Sequence, residues 1–333
     1  MTTKKVASSP RIAVVTVNYG TADLVVANLR DLLAELEAFP GSKVYIVDNA
    51  SPGGDTEKLA GFIEGEGLSA RVRLIKSPVN IGFAGGNNLA FAEIRRAELR
   101  PDFVLLLNPD AAPQSGAVGA LADFLNAKPR AGVAGARLEN PDGSPRHAAF
   151  HFPSAGREFA GAAGIGFLQR AWPTVQAGAA APCRVDWVSG AAMMLRAALL
   201  DEVGDMDAGY FLYFEETDYQ RAAAARGWEI WHVPAARVVH AAGASTGMAG
   251  GRPRAGRMPA YWFASWLRYY AKNHGPAYAR LAAAARLTGM MVCTAHRRLR
   301  GRQSGLADGF IKDFVRSCLM TPMPEDLARK TKR

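Results

Sequence analysis

The run Val104-Leu105-Leu106-Leu107-Asn108-Pro109-Asp110 constrains this chain more than any other segment. Phe103 to Leu107 is uniformly apolar, as a strand buried on both faces should be. Pro109 disfavours helix at Asn108 and stiffens the exit, so a carboxylate is delivered at a rigid strand end. Two earlier segments have the same form. Ile12 to Tyr19 closes on Val17-Asn18-Tyr19, and Val44 to Ser51 closes on Val47-Asp48-Asn49-Ala50-Ser51. Helical stretches separate them. An open parallel sheet whose strands end in polar clusters builds a ligand cleft along its carboxyl edge. The chain reads as an α/β enzyme.

The periodicity predicts a helix over 21–39, where Leu24, Leu29, Leu32, Leu33 and Leu36 recur at helical spacing before Pro40-Gly41. Strands follow over 44–47 and 71–75. A glycine- and asparagine-rich loop over 80–88 then leads into a helix over 89–96. Past the strand at 103–107 come a helix over 114–126, a strand over 131–137 and a turn at Asn140-Pro141-Asp142-Gly143. The Gly- and Ala-rich stretch 151–182 predicts loop with some helix. Residues 186–195 are apolar but interrupted at Ser189-Gly190, with a helix over 218–226 and a strand over 228–233 after them. Beyond Gly243 a Gly/Arg-rich loop over 245–258 precedes two helices, 261–274 and 276–300.

The 333 residues suffice for one large domain or two smaller ones. Three widely spaced cysteines, Cys183, Cys293 and Cys318, match no disulfide or metal spacing and favour a reducing compartment. Residues 1–11 hold two lysines with no apolar run behind them, unlike a secretory signal, and no stretch is long and apolar enough to span a bilayer. The expected location is cytoplasmic. The net charge of +10 is uneven: residues 252–333 carry +13 and the remainder −3, so the basic character belongs to the tail.

Five clusters bear on chemistry. Asp48, after its strand, can accept hydrogen bonds from a base or ribose, and equally makes a good Asx turn. In Asn80-Ile81-Gly82-Phe83-Ala84-Gly85-Gly86-Asn87-Asn88 the glycines permit close backbone approach, while Asn87 and Asn88 can cap a helix or offer amides to a ligand. Neither this segment nor Asn18-Tyr19-Gly20 fits a dinucleotide or P-loop fingerprint, which counts against those classes. Asp110 is the best candidate for a hard divalent cation, against the plainer Asx turn. Tyr213-Phe214-Glu215-Glu216-Thr217-Asp218 crowds three carboxylates, suiting a general base, with helix capping by Thr217 or Asp218 as the alternative. His240, ending a strand, can be a second metal ligand.

Together these segments resemble the inverting family 2 glycosyltransferases, especially their bacterial rhamnosyltransferase-like branch. Trp187-Val188-Ser189-Gly190-Ala191 and Gly227-Trp228 add to the resemblance, which covers about Arg11 to His274. It implies a GT-A fold with a mixed sheet. Residues 1–250 would be the catalytic body, 11–137 its donor half and 138–250 its acceptor half, with 251–333 a basic, aromatic, mainly helical extension. Asn18, Tyr19, Asp48, Asn80, Gly82, Phe83, Gly86, Asn87, Asn108 and Asp110 would face the nucleotide-sugar donor. Trp187, Ser189 and Gly190 would face a saccharide or lipid-linked saccharide acceptor. Asp110 and His240 would hold Mg2+ or Mn2+, with Asn108 replacing the first acid of the family's metal-binding triplet. Glu216 falls where the family places an aspartate base, and Glu215 is the second choice. The reaction implied is a single in-line displacement with inversion, and branch resemblance favours dTDP-rhamnose as donor.

Tyr261, Trp262, Phe263, Trp266, Tyr269 and Tyr270, followed by basic residues to Arg302, suit the surface of an anionic membrane. This would set the protein on the cytoplasmic face of the inner membrane. The alternative is a helical subdomain packed on the body or on another subunit, which leaves a homo-oligomer open. Nucleic acid is not expected as a partner, because it leaves the cleft motifs unused. The rival functions are a sugar nucleotidyltransferase and a non-enzymatic membrane- or saccharide-binding module.

Overall fold

The near-continuous burial of the first strands puts apolar side chains on both faces, so the sheet they form must be covered twice. A computed structural model describes residues 9–175, 180–241, 248–249, 252–253, 256–301, 306–323 and 325–328. In it β1 (Ile12–Asn18), β2 (Lys43–Asp48), β3 (Val72–Lys76) and β4 (Phe103–Leu107) run parallel in the order β3-β2-β1-β4. The sheet continues through β10 (Ala192–Arg196), β6 (Ala131–Glu139) and β11 (Glu229–His240) to β5 (Ala111–Pro113), with β8 (Cys183–Val185) also on β11. β10 is antiparallel to both β4 and β6, β11 is parallel to β6, and β5 and β8 run antiparallel to β11. The sheet is therefore mixed, as the resemblance implied and the strand pattern alone did not reveal. Small ribbons form between β7 (Ala149–Phe150) and β9 (Trp187–Val188) and between β12 (Met248–Ala249) and β13 (Arg252–Pro253).

One face of the sheet, with Val14, Ile46 and Leu105, packs on α1 (Ala22–Glu35) and α4 (Ala117–Ala127). The other, with Val15, Val47 and Leu106, packs on α3 (Gly82–Arg96), α7 (Leu199–Glu202) and α8 (Glu215–Ala225). α2 (Asp55–Gly65) lies between β2 and β3 in sequence. A third core joins α5 (Ala155–Ala163), α9 (Ala260–His274), α10 (Pro276–Leu299) and α11 (Phe310–Phe314). α6 (Gly166–Ala171) follows α5, and α12 (Glu325–Ala328) closes the described chain.

Several expectations need correction. The helix expected from residue 89 begins at Gly82, so the presumed loop over 80–88 is mostly its first two turns. Asn87 and Asn88 therefore do not cap it. Asn87 Nδ2 donates to the Phe83 carbonyl one turn back, and Asn88 exchanges two bonds with the Met206 backbone. The helix expected from 218 begins at Glu215, and its N-cap is Phe214 rather than Thr217 or Asp218. Four of the six aromatics named over 261–270 do not face outward. Phe263, Trp266, Tyr269 and Tyr270 are buried in the third core, as the subdomain alternative had it. Half of the expected 245–258 loop lies outside the described residues, as does 176–179 within the 151–182 stretch.

Candidate active site

Because β1, β2, β4, β6 and β11 point the same way, Asn18, Asp48, Asn108 and His240 end up along one edge. The antiparallel β10 starts there, directly after Ser189-Gly190-Ala191. The edge has two halves.

In the first half, Asn18 Nδ2 donates to Asp48 Oδ1 at 2.9 Å and to Ser51 Oγ at 3.0 Å, while its Oδ1 accepts from Thr21. Asp48 is only 1% exposed, and its second oxygen accepts from Thr56. Burial would raise the Asp48 carboxyl, but hydrogen bonds from Ser51, Thr56 and Asn18 outweigh it and hold it below the usual carboxylate range. Tyr19 beside them is exposed. Asn49, which the motif reading passed over, accepts from Ile81 N and donates to Asn80 Oδ1 and the Gly82 carbonyl, fixing the entry to α3. Gly82 sits at φ +75° with a Cβ position only 2.1 Å from the Phe211 carbonyl, which accepts from Phe83 N at 2.8 Å. A Cβ on Gly86 would meet Val17 at 2.7 Å. The close approach these glycines permit is thus to the protein's own Phe211 and Val17.

After β4, Asn108 N donates to the Ala191 carbonyl at 2.9 Å, tying the strand exit to the start of β10. Asp110 Oδ1 lies 3.1 Å from His240 Nε2, both side chains largely buried, and Asn108 Nδ2 is 3.5 Å from the same nitrogen. His240 Nδ1 is buried with no hydrogen-bond partner. Among the described residues no group of three or more His, Cys, Asp and Glu side chains converges. The protein offers one carboxylate and one imidazole, and a divalent cation held by few side chains completes its shell with substrate phosphates and water. The donor set fits such an ion.

The second half lies beyond Ala191. The ideal Cβ of Gly190 is 3.4 Å from Glu216 Cβ and 3.8 Å from the Phe83 ring, so Gly190 is where the donor side and the acidic helix touch. The sequence reading missed Gln220, fully buried on α8. Its Oε1 accepts from Val188 N and its Nε2 donates to Val188 O, each at 2.8 Å, locking β9 to the helix that carries Glu216. A buried glutamine one turn after Glu216 was the available signal. Glu216 lines a cavity of about 300 Å³ together with Trp187, Phe150, Tyr213, Trp262 and Thr217. Trp187 is fixed by stacking on Phe150 at 4.3 Å and by Nε1 donating to the His151 carbonyl.

The three carboxylates of the acidic cluster separate cleanly. Asp218 pairs with Lys272 and accepts from Asn273 at 2.7 Å, so it braces α8 against α9. Glu215 is 3% exposed with Oε2 unpartnered, and burial, then the neighbouring Glu216 charge, push its carboxyl well above the ordinary range. Burial also raises Glu216, opposed by backbone N–H groups at the helix start. Tyr213 and Phe214, just before them, adopt φ of +70° and +72°, a region costly for aromatic residues and characteristic of functional turns.

Residues 10–252 match the family described as "Glycosyltransferase like family 2". Over 188 residues the chain is 31% identical to the N-acetylglucosaminyl-diphospho-decaprenol L-rhamnosyltransferase of Mycobacterium tuberculosis, in two strains. The match takes in 53% of this chain and spans 61% of that relative's length. Among solved structures, GalNAc-T7 with UDP, GalNAc and Mn2+ aligns over 93% of this chain and 56% of its own, with TM-score 0.56 and 13% identity. The mannosyltransferase PcManGT of Pyrobaculum calidifontis with GDP-Man and Mn2+ aligns over 89% and 80%, with TM-score 0.50 and 17% identity. The fold is GT-A-like, with a helical C-terminal extension.

Proposed function

Because the chain belongs to glycosyltransferase-like family 2, we propose that it moves a sugar, with inversion, from a nucleotide-diphosphate donor to a hydroxyl of a saccharide or lipid-linked saccharide. The observation that carries this reading is Glu216. It lines an aromatic cavity of about 300 Å³ and lies 3.4 Å from where a Cβ on Gly190 would stand, and Gly190's neighbour Ala191 is bonded to Asn108 at the donor edge. The donor lies along the edge framed by Asn18, Tyr19, Asp48, Asn80 and Asn108, with the acceptor in the cavity between Trp187 and Glu216. Glu216 takes the proton from the attacking hydroxyl; burial raises its carboxyl, which makes it a stronger base once ionised. Glu215, more deeply buried and with its carboxyl raised well above the ordinary range, is the second choice for that part. Asp110 and His240 would hold Mg2+ or Mn2+, which supplies charge neutralisation at the leaving diphosphate.

The activity for which the Mycobacterium relatives are named favours rhamnose as the sugar and a diphospholipid-linked acceptor. Among the described residues no helix is long and apolar enough to cross a membrane. The surface we assign to an anionic membrane is the end of α10, where Leu299 is 88% exposed beside Arg298 and Arg300, and the neighbouring α6, where Phe167 is 68% exposed. Cys293 Sγ lies 3.6 Å from the Cβ position of Gly164, which brings that end of α10 to the start of α6.

The test is a panel of dTDP-, UDP- and GDP-sugars with Mg2+ or Mn2+, scoring released nucleotide and product linkage. Glu216→Gln is expected to bind donor normally and lose turnover by about 100-fold or more. Asp110→Ala is expected to weaken metal-dependent donor binding. Release of pyrophosphate instead of nucleoside diphosphate would indicate a nucleotidyltransferase, and unchanged turnover in Glu216→Gln would reject the base.

A further inference from the structure

The cavity beside Glu216 carries two guanidinium groups to which the transfer reading gives no task. Arg157 on α5 and Arg286 on α10 line the same space as Glu216 and Trp187. Among the described residues Arg157 is fixed by backbone carbonyls: Nε donates to Pro173 at 2.8 Å and a terminal nitrogen to Phe152 at 3.3 Å. No carboxylate pairs with it among the described residues. Arg286 pairs with Glu158, lies 5.2 Å over the Trp262 ring, and keeps a buried Nε without a partner. Glu158 is fully committed, because its other oxygen accepts from Trp266 Nε1 at 3.1 Å and Tyr270 Oη at 2.7 Å.

Two anchored cations therefore face the cavity against one spent carboxylate on that wall. A preorganised guanidinium with spare donors, partly shielded from water, matches a phosphate or carboxylate. We propose that Arg157 and Arg286 form an anion subsite, so that the acceptor is a saccharide bearing a phosphate or carboxylate near the hydroxyl that Glu216 deprotonates. The inference deepens the transfer reading and rests on it for the hydroxyl, whereas the charge argument stands on the cavity alone. Trp262 and Arg286 lie beyond residue 252, where the family match ends. Acceptor choice is thus written partly in the C-terminal helices.

The test is calorimetric titration of the full chain, its donor site saturated with nucleoside diphosphate and Mn2+. Three probes are compared: N-acetylglucosamine 1-phosphate, methyl glucuronide and methyl glucoside. At least one charged probe is expected to bind about tenfold or more tighter than the neutral one, and Arg157→Gln to erase that preference while Arg157→Lys keeps part of it. Preference for the phosphate or for the uronate identifies the anion's source, and either supports the subsite. Equal binding of all three, no binding of any, or an undiminished preference in Arg157→Gln overturns it. Unchanged nucleoside diphosphate affinity in Arg157→Gln reports an intact fold. Failure of the donor panel alongside a retained charge preference would sink sugar transfer and leave the subsite standing.

Discussion

Glu215 and Glu216 are sequence neighbours, both raised by burial and each with a buried, unpartnered Oε2, and Glu215 is the more deeply buried of the two. Glu215 is buried with an unpartnered oxygen, and its folded-state carboxyl is held well above the ordinary range, first by burial and then by the Glu216 charge. Between the unfolded carboxylate value and that raised one, the native state holds a proton that the unfolded state has lost. Stability from this group is therefore full at low pH and declines as pH rises. Glu215→Gln keeps the shape and removes the ionisation. Its melting temperature is expected to exceed that of the parent near neutral pH, with the gap closing as pH falls toward about 4. Melts across that range decide the matter: a gap independent of pH would mean that Glu215 is not the buried acid. Retained turnover in the same variant would leave Glu216 as the base. The backbone at Tyr213 and Phe214 belongs to the same device. Two consecutive aromatic residues at positive φ cost about 1–3 kcal/mol each. Phe214 packing on Trp262 and Tyr269, Tyr213 packing on Tyr261, and Ser265 Oγ donating to the Leu212 carbonyl hold them there.

Helix α8 matters because of what it is bolted to. Gln220 satisfies both backbone groups of Val188 in a dry setting, and β9 leads straight into Ser189-Gly190. Gln220→Ala strands a buried N–H and a buried C=O, with an expected loss of about 2–4 kcal/mol in chemical denaturation. Turnover is expected to fall with donor binding retained, because Gly190 and Glu216 lose their common brace. Denaturation midpoints and nucleotide release, measured together, check it. The parallel strands, their polar ends and the 213–218 cluster were legible in sequence because apolar runs and proline stops are local signals. The starts of α3 and α8 were not. Gly82 opens α3 because Phe211, far along the chain, offers its carbonyl to Phe83, and Asn49 holds the preceding turn. Phe214 replaces the expected cap because α9 packs against it. The meeting of Asp110 with His240 was anticipated from resemblance, whereas Gln220, Arg157 and Arg286 carry no motif and become visible only when α5, α8 and α10 are brought together.

The C-terminal helices carry much of the basic charge, a net +13 over residues 252–333. Several of these cations are internal struts. Arg268 and Lys272 both pair with Asp207, which burial would raise but which these cations bring down to about 2. Lys272 also reaches Asp218 on the helix that carries Glu216. One ammonium thus joins α9 to the Asp207 loop and to the acidic helix, with the third core packed behind it. Lys272→Met removes that cation while keeping the apolar stem. Among the described residues it leaves the buried Asp218 with the uncharged Asn273 amide as its side-chain donor, and breaking a buried pair on one side costs about 3–5 kcal/mol. If the extension and the sheet fold as one unit, the variant melts earlier in a single transition, with aromatic near-UV and backbone far-UV signals moving together. Its donor affinity at low temperature is expected to be normal, because the Asp110 and Asn18 edge does not touch Lys272. An early transition confined to the aromatic signal would instead mean that the helices release alone. Acidification tests the same joint without mutation: the stabilisation from Asp207 is present above the usual carboxylate value and is lost as pH falls toward about 2. The parent should therefore lose its near-UV signal in that window, and Asp207→Asn should blunt the loss. Since Trp262 and Arg286 come from these helices, whatever loosens the joint also opens the wall of the acceptor cavity.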